Sequence, residues 1–85
     1  MLVKVDVRYG SAVTGDERGQ IEAWVAVNDC SLISRISISR HDVTMDGVEG
    51  PFRARTGSAV RRGDLIDDLT EAHFTLSRAL RWHLT

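Results

Sequence analysis

The last third of the chain contains the pattern that most restricts the fold, a long amphipathic segment over residues 64–84. At 100° per residue its apolar side chains fall in one stripe, bordered by Ile66 and Leu84: Leu65, Leu69, Ala72, Leu76, Ala79 and Leu80. Asp64 is a good N-cap residue, and acidic residues precede basic ones along the segment, which complements the helix dipole. We therefore predict a helix over residues 64–84 that must cover an apolar surface elsewhere in the chain.

That apolar surface is predicted to be a β-sheet, because the segments before the helix alternate apolar and polar residues. Strands are predicted over residues 2–9, 20–27 and 32–40, with a fourth over 52–56 left open as an edge strand. The glycine-containing stretch 10–19 is predicted to form a loop, and Asp46-Gly47 a tight turn. The expected fold is α+β: an antiparallel meander of three to four strands with one C-terminal helix packed across one face.

Length and composition indicate a single domain over residues 1–85. The chain has 85 residues and a formal net charge of −1, which argues against a polybasic or an acidic disordered protein. One cysteine excludes an internal disulfide framework, and no apolar run approaches the length of a membrane span. Without a signal-peptide pattern at the N-terminus, the expected location is the cytoplasm and no membrane contact is expected.

No pattern in the sequence indicates catalysis, a metal site or a cofactor. The histidines His41, His73 and His83 lack companions at metal-ligand spacing, and Cys30 has no neighbouring histidine to act as a base. Gly10 and Gly15 have the spacing of a phosphate loop, but acidic residues stand where such a loop needs Lys and Ser or Thr. We therefore predict a chain that is not an enzyme.

The predicted helix carries a second feature on the side opposite its apolar stripe. Phe74 and Trp82 lie about 150° and 130° from the centre of the stripe, with Arg78 between them and Arg81 alongside. Aromatic and arginine side chains dominate the energetics of protein interfaces. We therefore predict a small protein-binding module, a regulator or inhibitor, that docks through Phe74, Arg78, Arg81 and Trp82 onto another protein or its own copy.

An alternative hypothesis places the binding surface on the sheet. If all four predicted strands pair, one face presents basic side chains around a single aromatic ring: Lys4, Arg8, Arg35, Arg53 and Arg55 around Trp24. Phosphate contacts combined with base stacking are how some sheet modules bind single-stranded nucleic acid. The near-neutral net charge and the lone aromatic make this the second of the two hypotheses.

Overall fold

The computed structural model describes residues 5–10, 12–49, 51–57 and 64–84, with the backbone alone for residues 83 and 84. Within these ranges the elements are β1 (Asp6–Tyr9), α1 (Gly15–Val27), β2 (Ile33–Ile38), β3 (Asp42–Gly47), β4 (Arg53–Gly57) and α2 (Leu65–Leu84). The chain is α+β, as predicted. Residues 2–4 of the first predicted strand, including Lys4, lie outside the described residues.

The sheet has the order β1-β2-β3-β4, and its first pair is parallel. The pairs β2-β3 and β3-β4 are antiparallel, so the sheet is mixed. The prediction of a purely antiparallel meander is therefore wrong at its first connection. A parallel pair needs a crossover that carries the chain back along the sheet, and α1 supplies it between β1 and β2.

Helix α1 occupies residues 15–27, so the predicted strand over 20–27 is wrong and the predicted loop over 10–19 is wrong from residue 15 onward. Thr14 caps the helix: its side-chain oxygen accepts from the Glu17 main-chain N–H at 3.2 Å, while the Glu17 carboxylate accepts from the Thr14 main-chain N–H at 3.0 Å. This capping box satisfies two of the orphan N–H groups at a helix start. The buried side chains then fall at helical spacing, at Ile21 and Trp24.

Strand β3 was not predicted. Asp46-Gly47 lies at the end of this strand, so the prediction of a tight turn at these two residues is wrong. Val43 and Met45 alternate inward and are fully buried. A Cβ atom at Gly47 would come within 3.3 Å of Leu76 and 3.4 Å of Leu80, both on α2. Glycine therefore suits this position because α2 passes close above the strand.

The third and fourth predicted strands correspond to β2 and β4. A bulge between Ile33 and Arg35 shifts the register of β2, so Ile33 is fully buried although alternation directs it outward. Strand β4 forms one edge of the sheet, with Ala54 buried and Arg53 and Arg55 exposed. Pro51 precedes it, in keeping with an edge strand.

The predicted C-terminal helix is confirmed. The Asp67 main-chain N–H donates to the Asp64 carboxylate at 3.1 Å, which is the expected N-cap contact. The helix packs on the sheet, and the Thr56 hydroxyl of β4 donates to the main-chain oxygen of Asp68 in α2 at 3.0 Å. The buried α2 residues in the common core are Leu65, Leu69, Ala72, Leu76 and Leu80.

Both helices lie on the same face of the sheet. The inner face holds the buried strand residues Ile36, Ile38, Val43, Met45 and Ala54, and Ile21 of α1 joins the same core cluster. Neither of the described helices packs on the opposite face of the sheet. In the described part of the chain, neither helix is long and apolar enough to cross a membrane.

Candidate functional site

The outer face of α2 is the row of exposed side chains on the side turned away from the sheet. Phe74 is 61% exposed and Trp82 is 78% exposed, in contrast to the fully buried Leu69 and Leu80 on the opposite side. The outer face comprises Asp67, Glu71, Phe74, Arg78, Arg81 and Trp82, all of them exposed. Their spacing of three, four or seven residues places them along one side of a helix.

The four side chains of the predicted protein interface therefore share one surface. The Arg78 guanidinium lies over the Phe74 ring, 5.8 Å from its centroid, within the range of a cation–π contact. Arg81 and Trp82 each take part in a further interaction within the chain. The arrangement is a ridge of aromatic and cationic groups on a rigid helix, which suits contact with another macromolecular surface.

Trp24 does not lie on the sheet face, and its predicted place there is wrong. It belongs to α1, is 5% exposed, and packs between the two helices. Its indole N–H donates to the Thr70 hydroxyl at 3.4 Å, and its ring meets the His73 ring edge-on with centroids 5.4 Å apart. Trp24 thus joins α1 to α2, and the predicted nucleic-acid face has no aromatic ring at its centre.

The open sheet face instead carries charges of alternating sign. Across the strands, Asp6 pairs in register with Arg35, Arg35 with Asp46, and Asp46 with Arg53. The ion pairs on this face are Arg8–Asp6, Arg35–Asp6, Arg53–Asp46 and Arg55–Asp42. Arg8, Arg35, Arg53 and Arg55 thus lie on one face, and each is paired with an aspartate, Asp6 being shared by Arg8 and Arg35.

These contacts alter the acidity of two aspartates. The hydrogen bond from Arg8, helped by Arg35, lowers the pKa of the Asp6 carboxyl. Burial works to raise the pKa of Asp42, but hydrogen bonds from Ser39 and Arg55 outweigh it and hold that pKa below the ordinary value. Both carboxyls are therefore charged at neutral pH, and the ion pairs described on this face join four arginines to three aspartates.

Two kinds of reactive group can be judged among the described residues, metal ligands and the thiol of Cys30. No cluster of three or more His, Cys, Asp or Glu side chains there could hold a metal ion. Burial, together with the Asp29 carboxylate, raises the pKa of the Cys30 thiol. Cys30 is therefore protonated at neutral pH, whereas a nucleophilic cysteine needs a lowered pKa.

The sequence did not identify three exposed residues as part of a candidate surface: Asp67 and Glu71 on α2 and Val27 on α1. Asp67 and Glu71 share the outer face of α2 with Phe74, and their spacing of seven and three residues before it was the available signal. Val27 is 83% exposed at the end of α1, three residues after Trp24. Because the apolar residues over 20–27 alternate as they would in a strand, the sequence does not indicate that Val27 is exposed.

Comparison with protein-family models, with curated proteins and with solved structures gives no match for this chain.

Proposed function

We propose that this protein is a small non-enzymatic protein-binding module, a regulator or inhibitor, whose contact surface is the outer face of α2. The observation that carries the proposal is the exposure of Phe74 and Trp82 on a helix whose opposite side already supplies the core. Arg78 and Arg81 stand beside these rings and would provide polar specificity.

The free energy left unused at this surface supports binding. Leaving a large apolar side chain in water forgoes about 1.5–3 kcal/mol of possible burial. The core stripe of α2 is complete without Phe74 and Trp82, so neither ring is needed to hold the helix on the sheet. Contact with a protein surface would recover this energy, and aromatic and arginine side chains are the usual centres of such contacts.

The second large surface of the molecule favours this choice over nucleic-acid binding. The arginines of the open sheet face are engaged by Asp6, Asp42 and Asp46, so binding phosphates there would break existing ion pairs. Its central aromatic is missing, because Trp24 is buried between the helices. A face whose arginines are already paired with carboxylates gains less from contact with a polyanion than one whose arginines are unpaired.

The first experiment separates folding from binding with the double substitution Phe74→Ala and Trp82→Ala. We expect an unchanged melting temperature by circular dichroism, together with loss of self-association or partner capture. Val27→Ala is the matched control, because it removes an exposed apolar side chain from α1 and should leave binding intact. Unfolding of the double variant would assign the rings to the core, and unchanged binding would move the contact surface elsewhere.

A second experiment identifies the protein that contacts the outer face of α2. A photoreactive phenylalanine analogue is introduced at position 74 in cells that produce the chain, and in parallel at the exposed α1 position Glu22. We expect a protein adduct from position 74 that position 22 does not give, and mass spectrometry names it. Equal or absent adducts at both positions would overturn the proposed function.

A further inference from the structure

The outer face of α2 has a charge order that its aromatic residues alone do not explain. Reading along the helix, two acidic residues come first, Phe74 stands in the middle, and two basic residues follow. The exposed sequence is Asp67, Glu71, Phe74, Arg78 and Arg81, with Trp82 at the end. Acidic and basic groups are thus separated into two halves of one surface, with an apolar group at the boundary.

The helix dipole does not account for the two inner charges. Its effect falls off within the first and last turns, whereas Glu71 lies in the second turn and Arg78 lies six residues before the end of α2 at Leu84. Asp64 caps the helix and Asp67 already provides the charge that the first turn favours. The helix dipole therefore does not explain the placement of Glu71, and the contact of Arg78 with the Phe74 ring leaves the charge of Arg78 without an opposite charge beside it.

Neither inner charge has an opposite charge within reach on its own helix. Residues three and four positions from Glu71 are Asp67, Asp68, Phe74 and Thr75, and those from Arg78 are Phe74, Thr75, Arg81 and Trp82. Glu71 and Arg78 are seven residues apart, about 10 Å along the axis, too far to pair. Among the described residues, the ion pairs include neither of them.

A second copy of the same helix supplies the missing partners. If two α2 helices pack antiparallel about a twofold axis between positions 74 and 75, residue 71 of each copy faces residue 78 of the other, since both lie equally far from the axis. Glu71 then meets Arg78 of the second copy twice, and the two Phe74 rings meet at the centre. Self-complementarity of this kind is what an isologous interface requires.

We propose that the outer face of α2 binds a second copy of this chain, through antiparallel packing of the two helices with Phe74 at the twofold axis. The inference rests on the proposed function and names its partner. Trp82 of each copy would then lie over the first turn of the partner helix, near Asp67. In coiled coils, charged residues beside the apolar seam likewise form salt bridges between the helices and set their orientation.

The area available indicates a weak dimer. Burying the exposed parts of two Phe74 and two Trp82 rings would remove on the order of 500 Å² of aromatic surface. A stable interface buries about 1,200 Å² or more in total, so the charged neighbours must supply the rest. We therefore expect association that depends on protein concentration and weakens with salt.

Reversing the charges at positions 71 and 78 tests the inference, because each single variant should lose affinity for itself and the mixture of the two should recover it. Glu71→Arg places like charges opposite each other in the dimer, and so does Arg78→Glu, so each variant alone should self-associate about tenfold or more weakly. Mixed together, the two variants form heterodimers in which both contacts are attractive, and the affinity should return to near that of the unmodified chain. Glu22→Arg makes the same charge change on α1 and should have no effect.

Sedimentation velocity over a concentration series compares the unmodified chain, the two single variants, their mixture with one variant fluorescently labelled, and the Glu22→Arg control. Circular dichroism confirms that each variant is folded. Recovery in the mixture supports antiparallel pairing through residues 71 and 78. An unmodified chain that stays monomeric at high concentration, or single variants that associate normally, overturns the inference. If the chain is monomeric while position 74 still gives an adduct with a different protein, the proposed function stands and only the second copy is excluded.

Discussion

Asp64 determines where α2 begins through its side-chain hydrogen bond to the Asp67 main-chain N–H. Replacing it with alanine leaves that N–H without its acceptor, so Asp64→Ala should lower the free energy of unfolding by about 1 kcal/mol. Asp64→Asn keeps an acceptor oxygen and should cost much less. Urea unfolding of the two variants makes the comparison, and equal stability of Asp64→Ala and the unmodified chain would show that the cap is not needed.

Asp68 stands out at the same end of α2 because it is only 9% exposed and its Oδ2 has no hydrogen-bond partner within the described residues. An unpaired buried oxygen costs about 1–3 kcal/mol, more than the 0.3–1 kcal/mol or so that an acidic group gains at a helix N-terminus. Asp68→Ala should therefore raise the free energy of unfolding by about 1 kcal/mol.

The neighbouring Asp67 provides the control for this prediction. It is exposed in the same turn, so Asp67→Ala changes helix propensity and dipole contact in the same way without relieving a buried oxygen. Chemical denaturation of both variants isolates the burial contribution as their difference. A stability of Asp68→Ala at or below that of Asp67→Ala would contradict the prediction.

At the scale of whole elements, α2 could be predicted because every signal in its sequence agrees. Its stripe of Leu65, Leu69, Leu76 and Leu80 has helical period, and Asp64 caps it. Strand β4 was also accessible, since Ala54 faces the core between two exposed arginines. Where period, capping and length point the same way, sequence alone suffices.

Helix α1 could not be separated from a strand by periodicity. Ile21, Ala23, Val25 and Val27 alternate as a strand would, yet Ile21 and Trp24 are the residues that the helix buries. Short apolar runs fit both patterns, and the deciding signal was local: the spacing of Thr14 and Glu17 in a capping box. Because residues 20–27 were predicted as a strand, Trp24 was expected on the sheet face. The crossover that makes β1 and β2 parallel was not expected for the same reason.

Two glycines test the backbone conformation directly, Gly19 in α1 and Gly57 at the end of β4. Gly19 lies inside α1 and a Cβ there would meet nothing within 4 Å, so Gly19→Ala should raise stability by about 0.5–1 kcal/mol. Gly57 at the end of β4 has φ +142, and a Cβ there would collide with the His41 carbonyl oxygen. Gly57→Ala should therefore lower stability by about 2 kcal/mol or more.

Thermal and urea unfolding of the two alanine variants give opposite signs if both elements are as described. A loss of stability in Gly19→Ala would indicate that residues 15–27 are not helical. A neutral Gly57→Ala would indicate that the end of β4 adopts a different backbone conformation.

The two large surfaces of the molecule, the outer face of α2 and the open face of the sheet, differ in how their charges are arranged. Both helices cover one face of the sheet and leave the outer face of α2 with aromatic groups and separated charges. The open sheet face instead has each charge beside its opposite, as between Arg53 and Asp46. The charges of the open sheet face are thus paired within the chain, whereas Glu71 and Arg78 on the outer face of α2 have no opposite charge at pairing distance on their own helix.

This internal balance makes the stability of the folded chain sensitive to acid. The pKa values of Asp6 and Asp42 are lower in the folded chain than in an unfolded one, so their contacts stabilise the fold above about pH 4. That contribution is lost as the pH falls through the lowered values and the carboxylates take up protons. We expect the urea midpoint to hold from neutral pH to about pH 4 and to decline below it.

Substitution of each aspartate separates the two contributions. Asp6→Asn and Asp42→Asn should lower the midpoint at neutral pH and flatten its decline in acid, whereas Glu22→Gln on α1 should leave the profile unchanged. Asp6 is held mainly by two exposed arginines, so its contribution should shrink in high salt. Asp42 also accepts a hydrogen bond from Ser39 at 2.8 Å, so more of its contribution should survive salt. An Asp42→Asn profile with the full acid decline of the unmodified chain would show that the contacts of Asp42 do not contribute to the acid sensitivity of the fold, because the proton uptake at low pH would then belong to other groups.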